Sequence, residues 1–361
     1  MSPRCNDSGN DLATQKSSPG GTIAAPHDTS CLHKRDLLEF EVRSPQKKAL
    51  RRFEMSSSHE KDTTTKANEP STGTRAVAPG VITSRDNRWL KEFRAALRGG
   101  VPTSEGAVGV EGVRLVAEAL ESGCRVEAVL FSEAGERHRE KLAPLVGKPE
   151  MAFPVLRTTD RLFEGIADTE HPQGVAALVQ PRGVEFDELL AAPRGACAPL
   201  LVVLAGVQDP GNVGTIVRTA AAFGATGAVT TATGQSGTAS PFAPKAIRAS
   251  AGAVLHLPII GGMALGILLT QLKLNGIRTL ASCVEQKDAK AMPPWEADWC
   301  QPVALLVGNE GAGLPEELVQ AADARIHIPV ATQVESLNAA AAAAVVLYEA
   351  FRQRKKVAGG S

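Results

Sequence analysis

The sequence predicts an α/β protein with two ordered units behind a polar N-terminal stretch. Three observations lead there. The chain has 361 residues, more than one ordinary domain needs. From residue 199 to 356, short apolar runs alternate with helical patterns, the arrangement that gives a mostly parallel sheet covered on both faces. Between 81 and 180 a smaller set of strand and helix patterns follows, and a stretch at 181–198 rich in Pro, Gly and Ala reads as the linker.

Residues 1–80 are rich in Ser, Thr, Pro, Lys, Asp and Glu with little hydrophobic periodicity, so they are expected to be a disordered extension. Met55 opens another polar run, and a translation start there would leave 1–54 unmade; peptides from 1–54 in the native protein would rule that out. Order is expected from Ile82. A helix over 86–97 carries Trp89, Leu90, Phe93 and Leu97 on one stripe and is closed by Gly99-Gly100. A strand at 107–110, a helix at 111–121, a strand at 126–131, a helix at 136–145, a strand near Val155 and a strand at 174–179 complete the first unit. In the second unit, strands are expected at 201–205, 228–230, 254–259, 278–282, 303–307 and 326–330. Helices are expected at 212–223, 244–250, 264–274, 316–322 and 337–353.

Composition excludes several classes. No apolar run reaches the roughly 18 residues that a membrane span requires, and no apolar region follows the first basic residues as a secretory signal would need. The six cysteines form no C-x-x-C pair, which suits reduced thiols in a cytoplasmic protein and gives no metal motif. Basic and acidic residues balance at 39 each, so net charge gives no support to nucleic-acid binding. Locally, however, Arg75, Arg85, Arg88, Lys91, Arg94 and Arg98 face only Asp86 and Glu92, a patch that suits a solvated helix or an RNA contact equally.

Four segments, each placed just after a predicted strand, are candidates for chemistry, because open α/β sheets bind ligands at that edge. In DPGNVGTIVRTAAAFGA (209–225), Asp209 is a helix cap, and Val213, Ile216, Val217, Ala220 and Phe223 share one face. Arg218 lies about 170° from the centre of that face, by the helical count. That position suits a solvated arginine or one facing a ligand. In PKAIRASAGA (244–253), Lys245 and Arg248 sit one helical turn apart, a weak phosphate-contact pattern. LLVGNEGAGL (305–314) ends a buried strand in a glycine-rich loop without the G-x-G-x-x-G spacing or a P-loop lysine, so a nucleotide phosphate site is not expected. In IPVATQVESLNAAAAAAVVLYE (328–349), Ser336 reads as the helix cap and Asn338 as a first-turn residue.

The order and spacing of these four segments resemble the successive motifs of the SpoU (TrmH-type) ribose methyltransferases of the SPOUT superfamily. ITSRDNRWLKEFRAAL, VEGVRLVAEAL and HPQGVAALV are similar to the L30e-like substrate-binding domain often fused to them. The resemblance implies a C-terminal sheet with a trefoil knot, a smaller L30e-like α/β domain before it, S-adenosylmethionine as methyl donor and RNA as acceptor. It implies a homodimer and requires no metal. Carried onto this chain, the catalytic set is Arg218, Asn212, Glu310, Ser336 and Asn338, with Arg218 activating the ribose 2′-hydroxyl. The cofactor would lie against Leu306, Val307, Gly308, Asn309, Ile328, Pro329, Leu337, Asn338 and Ala339. RNA contacts are expected from Arg85, Arg88, Lys91, Lys245 and Arg248. Ribosomal RNA is the expected substrate; transfer RNA, a resistance methylation, or a catalytically silent RNA-binding factor on the same fold are the alternatives. With one tyrosine and 4% aromatics, base stacking is not the expected mode of recognition.

Overall fold

A computed structural model describes residues 80–146, 153–191, 198–232, 237–283, 291–309, 311–331 and 336–358. The expectations for 1–79, for Glu310 and for 332–335 lie outside the described residues. All described residues belong to one compact unit, Arg75–Ser361.

The N-terminal part runs α1 (Arg88–Leu97), β1 (Val108–Glu111), α2 (Val113–Glu121), β2 (Arg125–Ser132), α3 (Arg139–Val146), β3 (Val155–Thr158), α4 (Asp160–Glu164) and β4 (Val175–Gln180). Its sheet has the order β1-β4-β2-β3, antiparallel except for the β2–β3 pair. Leu90, Phe93 and Leu97, one face of α1, close over Leu130, Leu156, Phe163 and Leu178. After the short helix α5 (Phe186–Leu189) come β5 (Leu200–Ala205), α6 (Pro210–Ala222), β6 (Gly227–Ala232), α7 (Pro244–Ala249), β7 (Ile259–Ala264), α8 (Leu265–Leu274), β8 (Arg278–Cys283), β9 (Val303–Gly308), α9 (Glu316–Ala321), β10 (Ala324–His327) and α10 (Ala339–Ala358).

The second sheet, β10-β8-β9-β5-β6-β7, is parallel throughout. Its central strands read as unbroken apolar runs because both faces are covered. Leu200, Val202 and Leu204 pack toward α6 and α10, whereas Leu201, Val203 and Ala205 pack toward α8. The first of these clusters also contains Val110, Val116, Ala177 and Val179, so one apolar core joins the two sheets. No helix among the described residues is long and apolar enough to cross a membrane.

Three expectations are corrected. The run 254–259 is not a strand: Gly252, at φ +92°, starts a 3-10 turn over Ala253–Leu255, and the strand follows at β7. Pro258 has no N–H for a ladder, and Gly261-Gly262 depress strand propensity where the strand lies. The strand expected at 326–330 is β10, which ends at His327, two residues before Pro329. Finally, α10 begins two residues later than expected, with Asn338 in the capping role expected of Ser336. The short helices α4 and α5 were not expected; a four- or five-residue helix has too little periodicity to read.

Candidate active site

Because the second sheet is parallel, the carboxyl ends of β5, β9 and β10 emerge on one edge, and the loops that follow them meet there. The β5 loop leads into α6. Gly206, at φ +84°, makes a left-handed turn that a side chain would strain. The Gly206 N–H donates to Thr238 Oγ1 at 2.9 Å, and Ala239 N–H donates to the Val207 carbonyl at 2.9 Å. Asp209 then caps α6 as expected, accepting from Gly211 N–H at 3.1 Å.

Along α6, Val213, Ile216, Val217 and Ala220 are fully buried and Arg218 is exposed, as the helical count predicts. The flanking hydroxyls are spent within the helix: Thr215 and Thr219 each donate to the carbonyl four residues back at 2.8 Å. No described group forms an ion pair with Arg218, so its guanidinium is available at the surface. Phe223, expected with the buried face, is half-buried and meets Tyr348 and Phe351 of α10 at 5.6 Å between ring centroids.

Asn338 caps α10. Its Oδ1 accepts from Ala340 N–H at 2.9 Å and from Ala341 N–H at 3.3 Å. Its Nδ2 donates to Asn212 Oδ1 at 3.2 Å. Thus two residues of the expected catalytic set are in direct contact, and Arg218 stands on the helix whose first turn holds Asn212. Ser336 is exposed just before the cap.

Of the expected cofactor residues, Leu306, Val307 and Gly308 are buried at the end of β9, Ala339 is buried, Ile328 is half-buried, and Pro329, Leu337 and Asn338 are exposed. The loop after β9 folds back on itself: Asn309 N–H donates to the Gly313 carbonyl at 2.9 Å and Gly313 N–H donates to the Asn309 carbonyl at 3.0 Å. The Asn309 side chain points inward to the protein, donating through Nδ2 to the Gly206 carbonyl at 2.9 Å.

The expected RNA contacts lie on two elements, the start of α1 and α7. Arg85, Arg88 and Lys91 lie at the start of α1; Arg88 stacks over Trp89 at 4.8 Å and Lys91 pairs with Asp86 at 3.2 Å. On α7, Lys245 Nζ meets Asp209 Oδ1 at 2.6 Å, and Arg248 meets Asp168 Oδ2 at 2.6 Å. The Lys245 ammonium, and then the Gly211 N–H, hold the Asp209 carboxyl below its usual range. Sequence reasoning missed Asp168 as a partner of Arg248 and Thr238 as a brace of Gly206. Neither bond has a local pattern that could have revealed it. Among the described residues, no His/Cys/Asp/Glu cluster could hold a metal ion.

Comparison with known proteins places these elements in context. Residues 199–348 match the profile described as the SpoU rRNA methylase family, and residues 103–177 match an MRM3-like substrate-binding domain. A 23S rRNA (guanosine(2553)-2′-O)-methyltransferase of Bacillus subtilis is 30% identical over 74% of this chain and 97% of its own length. An uncharacterised tRNA/rRNA methyltransferase of Synechocystis is 32% identical over 76% of this chain and 94% of its own. The crystal structure of the SpoU methyltransferase AviRb from Streptomyces viridochromogenes with AdoMet has TM-score 0.64 at 29% identity, covering 74% of this chain and 98% of that one. An AdoMet-bound rRNA methyltransferase from Sinorhizobium meliloti has TM-score 0.65 at 29% identity, covering 76% and 98%.

Proposed function

The chain belongs to the SpoU rRNA methylase family, and on that premise we propose that it methylates the 2′-hydroxyl of a ribose in ribosomal RNA. It is a methyltransferase that uses S-adenosylmethionine. The observation that carries the finer reading is the Asn338–Asn212 bond, which brings the starts of α6 and α10 together at the sheet edge where β9 ends.

The residues at that edge suit the cofactor's chemistry. S-adenosylmethionine has no phosphate, and the loop after β9 has no lysine or arginine to bind one. Leu306, Val307 and Gly308 would hold it through their backbone, with Ile328, Pro329, Leu337 and Ala339 giving apolar cover. When bound, it supplies a methyl group on a sulfonium, which departs as a neutral thioether. A ribose hydroxyl must shed its proton as it attacks. A guanidinium has donors and no acceptor, so Arg218 would donate hydrogen bonds to the developing alkoxide and orient it, while the proton leaves to a phosphate oxygen of the RNA or to water. Asn212, Ser336 and Asn338 would shape the ribose side of the pocket.

The same reading gives the partners. The Bacillus subtilis relative named for 23S rRNA, with the substrate-binding match at 103–177, supports ribosomal RNA as acceptor. Arg85, Arg88, Lys91, Lys245 and Arg248 would meet its phosphates. Val345 and Tyr348, 46% and 55% exposed on α10 beside Phe223, support a homodimer through that helix; light scattering of the full chain tests it.

The deciding experiment supplies labelled S-adenosylmethionine with separated ribosomal and transfer RNA, then maps the 2′-O-methyl group. Transfer to ribosomal RNA is expected, and Arg218→Ala should lose turnover by a factor on the order of 10² or more while still binding the cofactor. Transfer to transfer RNA alone would replace the proposed substrate, and no transfer to either would sink the proposal.

A further inference from the structure

We propose that Asn309 is a positioning residue: its carboxamide ties the loop after β9 to the turn that aims α6, so that the cofactor side and the Arg218 side of the site hold a common register. This rests on the function proposed above and deepens it.

The argument begins with the ladder between β5 and β9. The two strands run in register to Ala205 opposite Gly308. One step further, Gly206 and Asn309 face each other, but the Asn309 backbone can no longer serve the ladder. Its N–H and carbonyl are both spent on Gly313, at 2.9 and 3.0 Å. The side chain takes over: Asn309 Nδ2 donates to the Gly206 carbonyl at 2.9 Å, across 103 positions of sequence. Its Oδ1 accepts from Gly311 N–H at 2.8 Å and Ala312 N–H at 3.0 Å. One amide therefore builds its own loop with its oxygen and reaches the neighbouring loop with its nitrogen. The carboxamide thus has three partners within the protein.

Gly206 is where such a tie has leverage. It is held on its other side by Thr238 Oγ1, and three residues later Asp209 caps α6. A rotation of the Gly206 peptide would carry the cap, Asn212 and Arg218 with it. Displacements of about 1 Å in a catalytic group can lower turnover about 10²-fold.

Asn309→Asp separates the two halves of the bond. The carboxylate still accepts from Gly311 and Ala312, while the donor to Gly206 is replaced by an oxygen facing an oxygen. In the cofactor-free chain, hydrogen exchange at Gly206 and Ala239 should rise at least about tenfold, with Gly311 and Ala312 close to wild type. With cofactor and RNA saturating, kcat should fall about tenfold or more while the S-adenosylmethionine Kd stays within about threefold. Asn309→Ala, which loses both halves, should worsen Kd and kcat together. Unchanged exchange at Gly206 and Ala239, or wild-type kcat in Asn309→Asp, would overturn the inference. The exchange measurement stands even if the wild-type chain methylates no RNA, a result that would overturn the proposed function alone.

Discussion

The Nδ2 of Asn338 donates to Oδ1 of Asn212 at 3.2 Å, joining the first turns of two helices 126 positions apart. The same Asn338 caps α10 with its oxygen, and that cap assigns which end of the amide faces Asn212. The Asn212 oxygen is thereby turned to Asn338 and its NH₂ to the other side. The pair aligns the helix that carries Arg218 with the segment 336–338.

Substitutions at Asn338 should separate its two roles. Asn338→Ala loses cap and tie, and should cost about 1 kcal/mol of stability together with most activity. Asn338→Asp keeps a good capping oxygen but has no donor for Asn212, so thermal stability should hold while methyl transfer falls. Melting curves and methylation assays on both variants check this. An Asp variant with full activity would show that the tie is not used.

What was legible in the sequence was local. The α6 cap at Asp209, its buried face and the outward position of Arg218 all follow from spacing within a few turns. The central strands were readable because burial on both faces leaves unbroken apolar runs. β7 was missed because its glycines and the preceding proline mask a strand whose pairing with β6 holds it in place. The Asn309–Gly206 and Arg248–Asp168 bonds join residues distant in sequence, so no periodicity records them. The motif resemblance named Asn212 and Asn338 together, but only the fold shows that they touch.

The Asp209–Lys245 pair sets a pH dependence. Lys245 lowers the Asp209 carboxyl pKa, as does the Gly211 N–H. A carboxyl lowered in the folded state adds stability that is present above its unfolded pKa, near 3.9, and is lost as the pH falls through the lower folded value. The side chains are 44% and 61% exposed, so solvent screens the pair and its worth is under about 1 kcal/mol. In Lys245→Met, carboxyl-detected NMR should find Asp209 titrating higher, back toward the ordinary carboxylate range, and the stability difference from wild type should vanish in strong acid. An unmoved titration would mean that the helix cap alone lowers the pKa.

Arg354 should be the costliest arginine to replace. Its guanidinium donates to the carbonyls of Trp299 at 2.7 Å, Gln301 at 3.1 Å, Pro199 at 3.2 Å and Ala198, pinning the end of α10 to the entries of β5 and β9. A lysine ammonium cannot span that fork. Arg354→Lys should lose about 2–3 kcal/mol, read in denaturant unfolding. Arg352, which makes a half-buried two-pronged pair with Glu349 on the same helix, is the control: Arg352→Lys should cost about 1 kcal/mol or less. Equal losses would show that the carbonyl cluster contributes nothing beyond a single ion pair.

The tightest constraint on the proposed cofactor loop is at Gly308. A Cβ there would stand 2.4 Å from the Gly313 carbonyl carbon and 2.5 Å from Leu314 N, so the backbone itself must move. The two hydrogen bonds between Asn309 and Gly313 resist that movement. Gly308→Ala should therefore open the loop, weaken S-adenosylmethionine binding by about tenfold or more, and cost about 1–3 kcal/mol of stability. Gly311 lies in the same loop, yet a Cβ there would come no closer than 3.6 Å, to Asn309 Oδ1. Gly311→Ala should bind almost as wild type does. Calorimetric titration of both variants tests the pair: if Gly308→Ala keeps wild-type affinity, the end of β9 does not form the cofactor wall, and the site must lie along another loop of the same edge.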